Sequence, residues 1–272
     1  MKPVVKKTLA IIAAVLLAFL FYCYAETFWL ETTNLEFKNA AVPLEFSGKK
    51  IVFAADFHCG IFFDEKRLAG VVGEINRLEP DIIILGGDYV DYDKSYIAPT
   101  FDELAKLKAK MGVYAVLGNR DYQTDPAAIR AAMASASIKL LENDGEWIEA
   151  GGQKIRLGGV ADFLQARANA APALADATGN DFVVLASHNP TYVDRIDTAN
   201  IDLILSGHTH GGQMTLFGLW VPFFDLKYGH KYQSGIYRKD GATILVSNGI
   251  GTRLLPLRFF ARPQINVITL GK

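Results

Sequence analysis

Only two cysteines occur in the 272 residues, Cys23 and Cys59, and the first lies in an apolar run, so no disulfide framework staples the chain. An excess of one charge is lacking as well. Twenty-eight Lys and Arg residues stand against 29 Asp and Glu, a net charge of -1. Their mixed distribution leaves no basic stripe of the kind that neutralises a phosphate backbone, which disfavours a nucleic-acid partner. There is neither an internal repeat nor a low-complexity tract. One large domain with a sizeable core is the simplest organisation for this length.

Long apolar runs are not lacking. The N-terminus "MKPVVKKTLAIIAAVLLAFLFYCYAETFWL" sets Lys2, Lys6 and Lys7 ahead of a charge-free stretch, residues 8–25. A spanning helix needs about 20 residues, and a signal-peptide core usually has roughly 7 to 15. Residues 1–30 therefore read as an uncleaved membrane anchor. The rival reading is a cleaved signal, because Cys23, Tyr24 and Ala25 offer small residues at cleavage spacing. Tyr22, Tyr24, Phe28 and Trp29 resemble an interfacial aromatic belt, and Lys before with Glu26 and Glu31 after give a positive-inside polarity. That polarity puts the remaining chain on the non-cytoplasmic face of the inner membrane. Residues 31–49 read as a linker, and residues 50–272 as the catalytic domain.

Within that domain, short apolar runs alternate with amphipathic stretches: "IVFAAD", "DIIILGGD", "VYAVLGN", "FVVLASH" and "IDLILSGH". Each has the form of a strand buried on both faces. Leu68, Val71, Val72, Ile75 and Leu78 fall on one helical face before Pro80 stops the helix, and "FDELAKLKAKM" supplies a second helix. The runs "KIRLGGV", "KYQSGIYR", "ATILVSN" and "INVITL" suggest a second sheet packed against the first. The expectation is an α/β fold of two packed mixed sheets flanked by helices.

Polar residues gather where these runs end: Asp56 and His58, Asp88 and Asp91, Asn119, His188, then His208 and His210. Ligands of α/β folds bind beyond the carboxyl ends of the strands, where side chains from different strands converge. Singly, each signal has a plain alternative: Asp56 capping a turn, two solvated acids in "GGDYVD", His188 as a hydrogen-bonded surface histidine. The ordered set makes those alternatives poor.

The series Asp56-x-His58, Gly87-Asp88-x-x-Asp91, Gly118-Asn119-x-Asp121, His188 and Gly207-His208-x-His210 resembles the calcineurin-like metallophosphoesterases, from about residue 50 to the end. "GGDYVD", "SHNPT" and "GHTHGGQ" resemble its membrane-associated bacterial phosphodiesterases, a branch with enzymes like the UDP-2,3-diacylglucosamine pyrophosphohydrolases of lipid A synthesis. A UDP-linked lipid substrate would place the domain on the cytoplasmic face, against the polarity of the anchor; another envelope phosphodiester would not. The resemblance implies two divalent ions, with manganese, iron or zinc suited to oxygen and imidazole donors. Asp56, His58 and His210 would hold one, Asn119, His188 and His208 the other, and Asp88 both. It further implies hydrolysis by a hydroxide shared between the metals, without a covalent enzyme intermediate. Asp91 either orients a ligand or is solvated. Cys59 has no separate base in view and reads as a small packed residue. A scaffold that only binds partners would not need all seven ligands, and a phosphodiesterase of small substrates is the other alternative.

One position departs from the family. Most relatives place a histidine after the asparagine, as proton donor to the leaving oxygen; here it is Arg120. An arginine pKa exceeds about 12, so Arg120 cannot serve as a general acid, but its planar fork can grip phosphate. The expected preference is a pyrophosphate or another bond with a stable leaving anion. His230 in "KYGHKY" offers a competing acid, and Asp121 joins Arg120 and His230 among the candidate catalytic residues. "LFGLWVPFFDLKYGHKY" and "GTRLLPLRFFARP" mix apolar residues with Arg253, Arg258 and Arg262. They read as a groove for acyl chains and lipid phosphates, Arg253 and Arg258 contacting substrate, or as ordinary loops with solvated arginines.

Overall fold

The computed structural model describes residues 3–217, 221 and 231–272. Strands β1 (Glu31–Lys38), β2 (Lys50–Ala54), β3 (Ile82–Leu85), β4 (Val113–Ala115), β5 (Lys139–Leu140) and β12 (Gln264–Gly271) make one sheet, in the order β1-β12-β2-β3-β4-β5. The second sheet has the order β10-β11-β9-β8-β7-β6 and comprises β6 (Asp144–Ala150), β7 (Gln153–Gly159), β8 (Val183–Ala186), β9 (Leu203–Ser206), β10 (Gly235–Lys239) and β11 (Ala242–Val246). Both are mixed, with β2, β3, β4 and β5 parallel in the first and β7, β8, β9 and β11 parallel in the second.

Period-two alternation explains the continuous apolar runs. Ile51, Phe53, Ile82 and Ile84 point into a core shared with Phe182, Val184, Leu203 and Leu205 of the second sheet. Their neighbours Val52, Ala54, Ile83 and Leu85 point the other way, onto α2 (Glu65–Arg77) and α3 (Ile97–Leu104). Asp64 caps α2 by accepting from the Arg67 amide, and Leu68, Val71, Val72 and Ile75 are its buried stripe. The chain leaves α2 through Glu79 at φ +50°, just before Pro80.

Three expectations need correction. The second helix lies over 97–104, not 101–111, because Ile97, Thr100, Phe101 and Leu104 are the residues that face the core. Downstream, Asn76 of α2 takes the Lys108 amide and donates to the Lys106 carbonyl, which holds that stretch as a turn. "INVITL" joins the first sheet as β12, between β1 and β2, while "FVVLASH" and "IDLILSGH" supply strands of the second. Residues 31–49, read as a linker, are folded in. β1 pairs with β12 along its full length, and Val42 and Phe46 are buried in the core between the sheets.

The N-terminal helix α1 (Pro3–Glu26) is long and apolar enough to cross a membrane by length and composition. Its side chains are exposed from residue 3 to residue 21. Only the last turns meet the domain. Phe19 packs edge-on against Phe259 at 5.0 Å, the Cys23 carbonyl accepts from the Arg258 amide at 2.9 Å, and buried Glu26 accepts from the Ala261 amide at 2.9 Å.

Candidate metal centre and cleft

Parallel register brings the carboxyl ends of β2, β3 and β4 level, Ala54 beside Leu85 and Leu85 beside Ala115, and likewise Ala186 of β8 beside Leu205 of β9. The residues that follow turn inward at the seam between the sheets. Five of them, Asp56, His58, Asp88, His208 and His210, have left-handed backbone with φ between 47° and 71°. Asp and His tolerate that region better than most residues, at a cost of roughly 1–2 kcal/mol each. The sharp turns are locked by hydrogen bonds between loops, Asp56 N to Gly87 O at 2.9 Å and His58 N to Asp88 O at 3.0 Å. Gly118 makes the close approach possible, since a Cβ there would lie 2.2 Å from Asp88 Oδ1.

Donor atoms gather in two groups, Asp56 with His58 and His210, and Asp88 with His188 and His208, each within 4.8 Å. His58 Nε2 and His210 Nε2 are 3.1 Å apart, and His210 Nε2 is 3.7 Å from Asp56 Oδ1. In the other group His208 Nδ1 lies 3.2 Å from His188 Nε2, which is 3.3 Å from Asn119 Oδ1. Asp88 Oδ2 stands between them, 3.4 Å from both His58 Nε2 and His188 Nε2. His188 Nδ1 meets the Gly86 carbonyl at 2.8 Å. A carbonyl only accepts, so Nδ1 carries a proton and Nε2 is the atom turned to the centre, where a bound ion would take its lone pair.

Burial drives the His58 pKa down to about 4 and that of His208 to about 3, and pushes His210 well below the usual imidazole range. Neutral imidazoles are the form that binds a cation. His188 is shifted the other way: burial would lower it, but Asp88 and Asp56 outweigh burial and hold it well above the usual imidazole range, so an ion would have to take the place of its second proton. Burial also raises the Asp56 carboxyl to about 7. For Asp88 burial acts in the same direction but is outweighed by His188 and His58, which hold it below the carboxylate range. Converging, desolvated oxygen and nitrogen donors without a thiolate fit a pair of borderline or hard divalent cations.

The remaining sequence candidates divide. Arg120 is 3% exposed, its Nη1 donates to Gln123 Oε1 at 2.5 Å, and its guanidinium lies 4.2 Å over the Tyr92 ring. Its Nε and Nη2 have no partner among the described residues. Asp121, expected among the catalytic residues, accepts from the backbone amides of Gly118, Asp88 and Tyr89 and is 0% exposed. It positions the ligand loops rather than meeting substrate. Asp91 Oδ1 sits 4.0 Å from His58 Nδ1, and neither atom has a closer partner among the described residues. Cys59 is buried and its thiol is pushed up to about 12 by burial, as a packed residue should be.

Arg258, expected on substrate, is instead 0% exposed and donates to the carbonyls of Asn248, Gly249, Gly251 and Ala261. All three of its guanidinium nitrogens donate in bracing the loop behind Asp56, to whose carbonyl Gly251 N donates at 2.7 Å. Arg253 is exposed on the rim of the cleft. His230 lies outside the described residues.

A cleft of about 530 Å³ opens over the ligands. Asn119, Arg120, His208 and His210 face it at one end, while Met214, Leu254, Leu255, Leu257 and Leu20 of α1 line the rest. A more open hollow of about 760 Å³ beside Phe163, Leu174 and Arg195 contains none of the ligands. Sequence reasoning missed Leu20 as a wall of the cleft. It also missed Asp162, just beyond β7, which is 1% exposed, takes the Leu164 and Gln165 amides on one oxygen and leaves the other unpartnered among the described residues. The strand-end rule that found the other acids would have found this one.

Two packed mixed sheets with cation donors drawn from the strand ends of both are the build of a metal-dependent phosphoester hydrolase. The chain belongs to the calcineurin-like phosphoesterase family, which its residues 49–212 match. It is 32% identical over 254 residues to the uncharacterized metallophosphoesterase YkuE of Bacillus subtilis, covering 91% of this chain and 87% of that one. It is 29% identical over 254 residues to the phosphodiesterase YaeI of Escherichia coli, covering 91% and 90%. A zebrafish (Danio rerio) transmembrane protein with metallophosphoesterase domain is 29% identical over 255 residues, covering 88% of this chain and 57% of that protein. Haemophilus influenzae NAD nucleotidase shares the fold, with a TM-score of 0.50 and 15% identity over 74% of this chain and 45% of that one.

Proposed function

We propose that this enzyme hydrolyses a lipid-linked phosphodiester or pyrophosphate at a two-metal centre on the non-cytoplasmic side of the membrane. The cleft carries the reading. It is polar where the ligands lie and apolar along Leu254, Leu255 and Leu257, and one wall is Leu20 of the helix that is long enough to span a bilayer. That is the shape of a phosphate head with an acyl tail directed toward lipid.

Asp56, His58 and His210 would hold one divalent ion, Asn119, His188 and His208 the other, and Asp88 both. Such ions supply an activated water and bind the phosphoryl oxygens as charge develops. Arg120 grips a phosphate through its two unpaired donors, with its guanidinium supported by Tyr92 and Gln123. Because arginine does not release a proton near neutral pH, bonds with a weakly basic leaving anion are favoured over alkyl esters, for which general acid catalysis is worth roughly 100- to 10,000-fold. Lys6 and Lys7 on the cytoplasmic side favour an envelope lipid phosphoester over a nucleotide-linked lipid A precursor.

The test is the full chain in phospholipid vesicles with manganese, iron or zinc, assayed on vesicle-borne lipid phosphodiesters and pyrophosphates and on a soluble aryl phosphodiester. Faster turnover of the lipid pyrophosphates than of the aryl ester is expected, with the lipid phosphodiesters slower than the pyrophosphates. Turnover of the aryl ester alone would remove the lipid assignment, and no turnover with any metal would remove the hydrolase reading of the site.

A further inference from the structure

The length of α1 conflicts with a domain held clear of the membrane. Between Lys7 and the first domain contact at Phe19 lie 11 apolar or uncharged residues, a rise of about 17 Å at 1.5 Å per residue. The hydrocarbon core is about 30 Å thick. The shortfall, over 10 Å, coincides with the last turns of α1, where Phe19 and Tyr22 pack on Phe259 and the Cys23 carbonyl meets the Arg258 amide. For the helix to span, the loop beside those turns has to sit at bilayer level.

The surface at that level is apolar. Leu254 is 74% exposed and Phe260 45% exposed on the loop. On the other flank Arg67 donates to the carbonyls of both Thr27 and Phe62, placing Phe62 and its neighbour Ile61, 83% exposed, beside the helix end. Arg253 and Arg262 are exposed on the same loop, as suits contact with phosphate headgroups. Exposed apolar side chains brought together in this way mark an interaction surface.

We propose that Leu254, Leu255, Phe260, Ile61 and Phe62 form a rim seated in the lipid bilayer around the end of α1, which sinks the mouth of the cleft to headgroup depth. The rim rests on the membrane reading of α1 and deepens the substrate assignment: a lipid phosphoester would enter sideways from its own leaflet, past Leu20, without leaving the membrane. The partner is the bilayer, not a second protein.

Nitroxide labels at Ile61→Cys, Phe260→Cys and, as a control, Leu44→Cys test this in the full chain reconstituted in phosphatidylcholine–phosphatidylglycerol vesicles. Leu44 is 64% exposed and follows the end of β1 remote from the site, and the native cysteines are buried. Labels at 61 and 260 are expected to collide severalfold more with oxygen, relative to a water-soluble nickel chelate, than the label at 44. Equal ratios at all three overturn the rim. Independently, Ile61→Asp with Phe260→Asp is expected to lower turnover of a vesicle-borne lipid phosphodiester at least tenfold while leaving a soluble aryl phosphodiester within twofold, which also shows that the variant folds. Unchanged lipid turnover overturns the rim. Water-like labels with lipid hydrolysis intact would spare the substrate assignment, whereas lipid-buried labels with only aryl hydrolysis would remove that assignment and keep the rim.

Discussion

Asp121 Oδ2 accepts the backbone amide of Asp88 at 2.8 Å, so the loop after β3 hangs from the loop after β4. The same carboxylate takes the amides of Tyr89 and Gly118. Replacing Asp121 with alanine strands three buried donors, each costing roughly 1–3 kcal/mol. Because Asp88 is the proposed ligand that it positions, divalent-metal affinity should fall about 10- to 100-fold. Metal titration beside a thermal melt measures both losses, and an unchanged metal affinity would deny Asp121 a positioning role.

The two donor groups should be separable. His210→Ala removes a donor from the Asp56 and His58 group, and His208→Ala removes one from the Asp88 and His188 group. Each variant is expected to retain about one ion where the parent retains two, counted by elemental analysis after dialysis, and to lose at least 100-fold in hydrolysis. Two ions retained in either variant would contradict the assignment.

On the proposed reading Arg120 sets the leaving-group preference. Arg120→His reinstates a titratable proton donor at that place, and turnover of an alkyl phosphodiester should rise relative to that of a pyrophosphate by at least tenfold. Arg120→Ala should lower both by a similar factor. A ratio of rates unmoved by the histidine would refute the clamp.

Acid stability is expected to involve a pair outside the two donor groups. Burial alone would raise the Glu142 carboxyl, but hydrogen bonds from Arg130 and Tyr122 outweigh it and hold its pKa below the ordinary value. A depressed carboxylate pKa stabilises the fold above the unfolded value near 4.3 and loses that contribution as pH falls through the folded value. Arg130→Gln should therefore cost about 1 kcal/mol or less at pH 7, the pair being partly exposed, and nothing once Glu142 is protonated. Denaturant midpoints at neutral and strongly acid pH give the comparison.

Truncation offers another check. A chain starting at Thr32 would remove the Cys23 carbonyl from the Arg258 amide, Glu26 from the Ala261 amide and the Thr27 carbonyl from Arg67. Relative to a chain starting at Tyr22, it should melt several degrees lower and bind metal more weakly, because Arg258 braces the loop behind Asp56. Equal melting points and metal affinities would show that the helix end is dispensable.

The strand-end residues were legible because a buried strand in a parallel sheet must be apolar up to the point where its chemistry begins, so the polar residue after each run stood out. Asp56, Asp88, Asn119, His188 and His208 were all visible in this way. Arg258 was misread because an arginine among apolar neighbours looks the same whether it is solvated or buried on carbonyls; only the loop at 248–251 decides. "INVITL" carried no sign of which sheet it would join, since its partners β1 and β2 lie far away in sequence. The start of α3 was missed because the apolar spacing of 97–104 is interrupted by Pro99, a tolerated residue in a first turn.

Because the donors come from both sheets, Asp56, His58, Asp88 and Asn119 from the first and His188, His208 and His210 from the second, any cation bound there is also a clasp across the domain. Ligands that bind only the folded state add RT ln(1 + [L]/Kd) to its stability. Metal supply would then govern how much of this protein survives as well as how fast it works, and chelation would act first where the strand ends of the two sheets meet, leaving the apolar core between them to hold the halves together.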